Sequence, residues 1–196
     1  MLIAPFCGAA RVKAEAALPT DFACRRCALC AGRTQVVAGK GPLPARLMIV
    51  GEAPGAQEDK EGAPFVGRAG AVLDKALAKA GVERNRVYIA NVVKCRPPEN
   101  RRPKPEEMAA CAPFLAWEIE HASPGAILAL GATAAQALLG GPTKVVGEPL
   151  KPRAVEIAGA TRAVFVTLHP AASRFQRGAV DTIAAAIAAA WAFASK

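Results

Sequence analysis

The stretch RLMIVGEAPGAQEDKEGAPFVGRAG, residues 46–70, joins a short apolar run to a loop that is rich in glycine and proline. Arg46 to Val50 has few polar residues and is typical of a strand buried on both faces of a parallel sheet. The glycine-rich loop, residues 51–70, contains five glycines and two prolines. Because glycine loses more backbone entropy on folding than other residues, such a loop usually serves unusual dihedral angles or a ligand lying against its backbone. The loop is therefore the first candidate for a functional site.

Strands and helices alternate along the rest of the chain. Further apolar runs predict strands at Val87–Val93, Ala126–Leu130 and Val164–Leu168, and the segments around them predict helices at Gly70–Ala80, Pro105–His121, Ala132–Leu139 and Asp181–Phe193. This order predicts an α/β fold, a three-layer α/β/α sandwich with a central, mostly parallel four-stranded sheet and right-handed crossovers. At 196 residues we expect a single domain over residues 1–196.

Four candidate site residues lie at the carboxyl ends of the four predicted strands. Glu52 begins the loop after the first strand, Asn91 lies at the end of the second, and Gly131 and His169 follow the third and fourth. In open α/β sheets, ligands bind in the crevice outside the carboxyl ends of the strands. The four segments are therefore expected to converge on one pocket.

The composition narrows the class of protein. The chain carries 25 Lys and Arg against 16 Asp and Glu, a formal net charge of +9, which favours polyanionic partners such as nucleic acid. No apolar run is long and clean enough to span a bilayer, and the start, MLIAPFCGAARVKAE, lacks the pattern of a secretory signal. We therefore expect a cytoplasmic protein without membrane contact, in which six cysteines are more typical of metal ligands, catalytic groups or buried thiols than of disulfides.

The cysteines form a second candidate site. Cys24 and Cys27 make a CxxC motif beside Cys30, while Cys95 follows a predicted strand and Cys111 lies in a predicted helix. The proline-rich sequence between the last two, RPPENRRPKPEE (residues 96–107, the basic loop), lets them close a four-thiolate site onto the CxxC. Four thiolates suit a tetrahedral zinc ion or an iron–sulfur cluster, and the residue chemistry does not separate the two. The alternative is a set of buried thiols with one accidental CxxC.

Several motifs in the same order resemble a known family. They are the CxxC, GRTQVVAGKG (32–41), the glycine-rich loop, NVVKCRPPENRRPKPEEMAAC (91–111) and LHPAA (168–172). Together, from about Cys24 to His169, they are similar to family 4 uracil-DNA glycosylases, the iron–sulfur branch found in bacteria and archaea. The resemblance implies a 4Fe-4S cluster held by Cys24, Cys27, Cys95 and Cys111, whereas Cys7 and Cys30 have no clear counterpart. The cluster is then interpreted as a structural staple for a DNA-facing basic loop.

The resemblance also implies an activity. Such an enzyme is a monofunctional glycosylase that flips uracil, the product of cytosine deamination, out of DNA and hydrolyses its N-glycosidic bond, leaving an abasic site for base excision repair. Phe65 matches the residue that stacks on the base, and the Asn91 amide fits the O4 and N3–H edge of uracil. His169 is expected to donate a hydrogen bond to uracil O2. Glu52 and Glu58 are the carboxylates able to position the attacking water, and the sequence does not rank them.

Other residues are assigned to substrate and DNA by the same resemblance. Backbone groups of the glycine-rich loop are expected to approach the base and phosphates, and Asn100 matches a position near the site that orients Glu52. Phosphate contacts are expected from basic groups of two loops. The backbone set is Gly51, Ala53 and Gly55, and the basic set is Arg96, Arg101, Arg102, Lys104, Arg174 and Arg177.

One segment departs from the family pattern. After the histidine the family commonly has leucines, one of which wedges into the duplex, whereas this chain has HPAASRFQRG (169–178). Ser173 and Arg174 replace the apolar pair, so the wedge is expected to be Arg174 or Phe175, or to be weak.

The expected partner is uracil-containing DNA, single- or double-stranded, bound by a monomer, with a sliding clamp as a candidate protein partner.

Three alternative functions predict different features. A covalently trapping relative would carry a histidine in the basic loop, which has none. A non-catalytic iron–sulfur DNA-binding protein would not need Glu52, Asn91 and His169 together. A zinc-bound nucleotide or nucleoside hydrolase with the same three-layer sheet would bind no iron.

Overall fold

A five-stranded sheet forms the centre of the computed structural model, which describes residues 23–141 and 150–195. Its strands are β1 (Leu47–Gly51), β2 (Val87–Asn91), β3 (Ala126–Leu130), β4 (Arg153–Ile157) and β5 (Ala160–Thr167). The strand order is β2-β1-β3-β5-β4, and every neighbouring pair is parallel except β4 with β5. The predicted α/β class with a mostly parallel sheet is therefore confirmed. The sequence 1–15 and Cys7 lie outside the described residues.

Helices cover both faces of the sheet. They are α1 (Ala56–Glu61), α2 (Arg68–Lys79), α3 (Pro105–Ala122), α4 (Gly131–Leu139) and α5 (Ala179–Phe193). Because side chains alternate along a strand, Leu47 and Ile49 of β1 pack with α2 and α5, whereas Met48 and Val50 pack with α3 and α4. The result is the three-layer arrangement that the sequence predicts. None of the described helices is both long and apolar enough to cross a membrane.

The count of four strands is corrected to five. The additional strand, Arg153–Ile157, lies at the edge of the sheet and pairs only with β5, and its first four residues are exposed or half-exposed. An edge strand of this kind has no continuous apolar run, which is why sequence patterning misses it. Ala158 and Gly159, both with positive φ, form the two-residue turn to β5. This hairpin is also why β5 begins at Ala160, before the predicted start at Val164.

A buried ion pair joins three segments below the ends of the strands. Lys94, just after β2, and Glu118 of α3 have side chains only 3% and 6% exposed. The Lys94 ammonium also donates to the backbone oxygen of Asn91 at 2.7 Å, and the second oxygen of Glu118 accepts from the Gly39 N–H at 2.7 Å. The two buried charges therefore have hydrogen bonds beyond the pair itself, which offset the cost of their desolvation.

We predict that Lys94→Met lowers the free energy of unfolding by about 3–5 kcal/mol, because it leaves the Glu118 carboxylate buried without its counter-ion. Chemical denaturation of the purified protein measures this. The matched control is Lys79→Met, which breaks an ion pair with Asp181 whose side chains are 58% and 63% exposed. It should lose no more than about 1 kcal/mol. Equal losses in the two variants would contradict the structural role of the buried pair.

Candidate active site and cysteine cavity

The carboxyl ends of β1 and β2 bring Gly51, Phe65 and Asn91 into close contact. Gly51 and Asn91 are partners in the strand register. A Cβ atom at Gly51 would lie 2.4 Å from the Phe65 ring and 2.5 Å from Asn91 Oδ1. Only glycine therefore allows the ring and the amide to lie beside the end of the strand together.

Phe65 has an unusual backbone conformation that its neighbours maintain. Its φ angle is +54°, a region that bulky residues rarely adopt. The Arg84 guanidinium donates to the carbonyls of Pro64 and Phe65 at 2.8 and 2.9 Å. Gly70 lies so close that a Cβ there would be 1.9 Å from the Phe65 carbonyl oxygen. Strain of this kind is typical of functional sites and persists only where the surroundings fix it.

Asn91 presents a polar group that the protein itself does not satisfy. The residue is only 2% exposed, and its Oδ1 atom has no hydrogen-bond partner among the described residues. An unpaired buried acceptor is costly, so it points to a ligand that supplies the missing donor. The Lys94 ammonium donates a hydrogen bond to the Asn91 backbone oxygen and thus fixes the main chain that carries this side chain.

His169 lies across from this group, with its ring centroid 6.1 Å from that of Phe65. Its Nδ1 atom accepts a hydrogen bond from the Ala171 N–H at 3.2 Å. Burial lowers the pKa of His169, although the Glu52 charge opposes the shift. The ring is therefore neutral at pH 7, with its proton on Nε2 and available for donation. Gly131, at φ +85°, makes room for it, since a Cβ there would lie 2.9 Å from the His169 Cβ.

The two candidate carboxylates have different surroundings. Glu52 is 33% exposed, and its Oε2 atom accepts a hydrogen bond from the Thr133 hydroxyl and lies 4.0 Å from Arg102 Nε. Sequence analysis missed Thr133. Its position two residues after Gly131, in the first turn of the helix that follows a predicted strand, is the signal that would have found it.

Glu58 is buried and organises the glycine-rich loop. Its Oε2 atom accepts from the Gly55 N–H at 3.1 Å, and its Oε1 atom accepts from the N–H groups of Val66 and Gly67 at 3.0 and 2.8 Å. Both oxygens are thus occupied by backbone donors from the two ends of the loop. A carboxylate bound in this way has less capacity to activate water than Glu52 has.

Asp59, which follows Glu58 in α1, binds the segment that comes after the CxxC. The Asp59 carboxylate accepts from the Thr34 N–H at 2.9 and 3.0 Å and is buried. Neighbouring acids of α1 therefore connect this segment to the glycine-rich loop.

Five cysteines line one cavity on the α3 side of the sheet. The backbone N–H of Lys94 donates to Cys111 Sγ at 3.2 Å, and Arg33 donates to Cys95 Sγ at 3.4 Å. Burial raises the pKa of Cys95 and raises that of Cys111 to about 11, so a thiolate at either position at neutral pH would require a bound cation. The lining cysteines are Cys24, Cys27, Cys30, Cys95 and Cys111.

The cysteine cavity offers soft thiol donors, which zinc ions and iron–sulfur clusters bind. Within residues 23–141 and 150–195, no three Cys, His, Asp or Glu side chains form a group that could hold a single metal ion. Four thiolates suit either a tetrahedral zinc ion or an iron–sulfur cluster.

In the basic loop, two of the predicted DNA-binding arginines are bound to side chains of the protein itself. Arg101 forms a two-pronged ion pair with buried Glu107, at 2.9 and 2.6 Å, whose hydrogen bonds lower the pKa of Glu107. Asn100 Oδ1 accepts from Arg96 Nε at 2.9 Å. Among the described residues, Glu52 has a hydrogen bond from Thr133 and an ion pair with Arg102.

The remaining predicted DNA contacts are on the surface. Lys104 is exposed, as are Arg174, the last residue of the short turn Pro170–Arg174 after His169, and Arg177. Phe175 between them is 92% exposed, which is unusual for a large aromatic side chain.

Comparison with known proteins agrees with this geometry. The model of the uracil DNA glycosylase superfamily matches residues 38–193. The chain is 53% identical over 131 residues to the Type-4 uracil-DNA glycosylase of Thermotoga maritima, covering 65% of this chain and 68% of that protein. It is 46% identical over 154 residues to the Type-4 enzyme of Pyrobaculum aerophilum, covering 76% and 78%. The Type-4 enzyme of Sulfurisphaera tokodaii is 42% identical over 164 residues, covering 79% and 72%.

We predict that Glu58→Gln lowers the free energy of unfolding by about 1–3 kcal/mol, because an amide cannot accept from all three backbone donors. The matched control is Glu52→Gln, which keeps an acceptor for the Thr133 hydroxyl and should change it by less than about 1 kcal/mol. Urea denaturation of the two variants beside the wild type measures both. A larger loss in Glu52→Gln would contradict the assignment of Glu58 to the loop.

Proposed function

The chain belongs to the uracil DNA glycosylase superfamily, and we infer that it hydrolyses the N-glycosidic bond of uracil in DNA and leaves an abasic site. The Type-4 uracil-DNA glycosylases with which it shares 42–53% identity support this activity. Within the molecule, the observation that carries the inference is the unpaired side-chain oxygen of Asn91, buried beside the Phe65 ring.

Asn91 and Phe65 would recognise the flipped base. Uracil presents a donor at N3–H beside an acceptor at O4, which matches the oxygen and nitrogen of the Asn91 amide. Cytosine presents an unprotonated N3 and an amino group, so its pattern is reversed and mismatches the amide in the orientation that pairs with uracil. The Phe65 ring offers a face for stacking once the base has left the duplex.

His169 would stabilise the departing uracil. Cleavage of the bond builds negative charge on the base and positive charge on the sugar. The neutral imidazole holds its proton on Nε2, from which it can donate a hydrogen bond to uracil O2 as the charge develops. A donor already positioned for that charge stabilises the transition state more than the ground state.

Glu52 is the carboxylate that we assign to water and to the cationic sugar. Among the described residues, its hydrogen bond is to Oε2 alone, so Oε1 is available to accept from the attacking water. Its negative charge also favours the oxocarbenium-like sugar. Glu58 is assigned to the loop because its oxygens already accept three backbone hydrogen bonds.

We further propose that Cys24, Cys27, Cys95 and Cys111 hold a 4Fe-4S cluster. The shared cavity and the all-thiol donor set support this cofactor. When bound, the cluster would act as a structural cross-link that fixes both ends of the basic loop. Cys30 lines the same cavity and is not required by this ligand set.

DNA binding would use the exposed basic groups around the pocket. Arg96, Arg102 and Lys104 of the basic loop, with Arg174 and Arg177, would contact phosphates. Arg101 would contribute less, because it is already bound to Glu107. Phe175 and Arg174 are both exposed, and we assign to Phe175 the entry into the duplex beside the flipped nucleotide because inserted side chains are commonly apolar.

The activity predicts alkali-labile cleavage of an oligonucleotide with one central uracil. His169→Ala and Glu52→Gln should each lower kcat by about 100-fold or more, because they remove charge stabilisation and water activation. Glu58→Gln, assayed at a temperature where it is folded, should lose less.

The control substrate is the same oligonucleotide with cytosine. Absence of cleavage of the uracil-containing oligonucleotide by the wild type would contradict the proposed function. Strand breaks before alkali or heat would contradict a monofunctional mechanism.

The cofactor assignment predicts about four iron atoms and four sulfides per chain in protein purified without oxygen. Cys111→Ser should lose the iron and the visible absorbance, because it removes a ligand. Cys30→Ser is the matched control and should keep both. Bound zinc in place of iron, or iron loss on changing Cys30 alone, would overturn the assignment.

A further inference from the structure

Thr133 occupies a defined place between the basic loop and the active site. It lies in the first turn of α4 and is buried. Its hydroxyl accepts a hydrogen bond from Arg102 Nε at 2.7 Å and donates one to Glu52 Oε2. A continuous chain of hydrogen bonds thus runs from the basic loop to the carboxylate.

The direction of this chain follows from the chemistry of its members. A threonine hydroxyl has one proton, and a guanidinium can only donate. Because Arg102 fills an acceptor site of the hydroxyl, the single proton of Thr133 remains for Glu52. Glu52 Oε2 is thereby tethered, and the rotation of the carboxylate that would exchange its two oxygens is disfavoured.

The Thr133 hydroxyl does not serve the helix itself. Threonine near a helix start often bonds to the backbone as a cap, but this hydroxyl bonds to side chains of two other segments. The following residues Ala134, Ala135 and Leu138 are buried in the core, so the hydroxyl is carried by a rigid element. A group on such an element can hold a reactive side chain more closely than a loop residue can.

We propose that Thr133 is a positioning residue for Glu52, and that Arg102 orients the Thr133 hydroxyl for this task. The proposal rests on the role of Glu52 given above. Arg102 is well exposed, so its terminal nitrogens can bind a DNA phosphate while Nε remains on Thr133. Arg102 then connects the DNA backbone to the orientation of the carboxylate.

The test is steady-state kinetics of Thr133→Val, which keeps the volume and removes the hydroxyl. We expect kcat on uracil-containing oligonucleotide to fall about 10- to 100-fold with KM nearly unchanged, since misorientation of a reactive group affects the chemical step. Thr133→Ser, which restores the hydroxyl, should recover most of kcat. Adding Thr133→Val to Glu52→Gln should lower kcat no further than Glu52→Gln alone, because the two act as a unit.

Two further variants keep the test decisive. Thr182→Val, which removes an exposed hydroxyl of α5 bonded to its own helix, is the matched control and should retain wild-type kcat. Arg102→Lys lies on the surface and should fold normally, and we expect it to lower kcat several-fold because an ammonium on a flexible stem cannot serve both ends.

Wild-type kcat in Thr133→Val would overturn this proposal alone, as would failure of Thr133→Ser to recover kcat. Absence of uracil release by the wild type would overturn the proposed function itself.

Discussion

The buried ion pair between Lys94 and Glu118 is the contact on which both halves of the site depend. Its lysine side chain holds the backbone of Asn91, while the main chain of the same residue donates to Cys111 at the cysteine cavity. Glu118 extends the contact to Gly39, where the absence of a side chain gives space for Tyr88 and the carboxylate. A pair this deeply buried is favourable only when its remaining hydrogen-bonding capacity is filled, and here the backbone fills it. The Asn91 amide, which we propose recognises the base, and the cysteine cavity therefore share one support.

Buried acidic side chains organise the glycine-rich loop in a similar way, through hydrogen bonds from the backbone. The loop contains its own short helix, and consecutive acids of that helix bind backbone donors in opposite directions, Glu58 within the loop and Asp59 in the segment after the CxxC. Polar side chains thus perform the organising work that an apolar core performs elsewhere. This explains how a sequence so rich in glycine can still place Phe65 and Gly51 in fixed contact.

Sequence patterning predicted the parallel strands well, because continuous apolar runs mark strands buried on both faces. Strand β3 agrees residue for residue, whereas the exposed edge strand β4 and the polar helix α1 carry no such signal. The residues at the strand ends could be found because parallel topology brings those ends to one edge. The partner of Glu52 could not, since Thr133 lies 81 residues away in the sequence. The partners of Glu58 and Asn100 are near in sequence but depend on loop conformations that apolar patterning does not reveal. Glu58 binds backbone donors of its own loop, and Thr133, which the sequence did not indicate, is hydrogen-bonded to Glu52.

The clamp that Arg84 forms on the carbonyls of Pro64 and Phe65 has a consequence for how substrates are selected. A stacking platform that is fixed before the substrate arrives needs no ordering when a base enters. The conformational work of capture then falls on the nucleic acid, whose nucleotide must unstack and rotate to meet a surface that does not adapt. The local flexibility of the double helix would then contribute to recognition, because it determines how readily a nucleotide leaves the stack. On the stacking role proposed for Phe65, a lesion in a weakly stacked or unpaired context would be presented to this enzyme more readily than the same lesion in a stiff one.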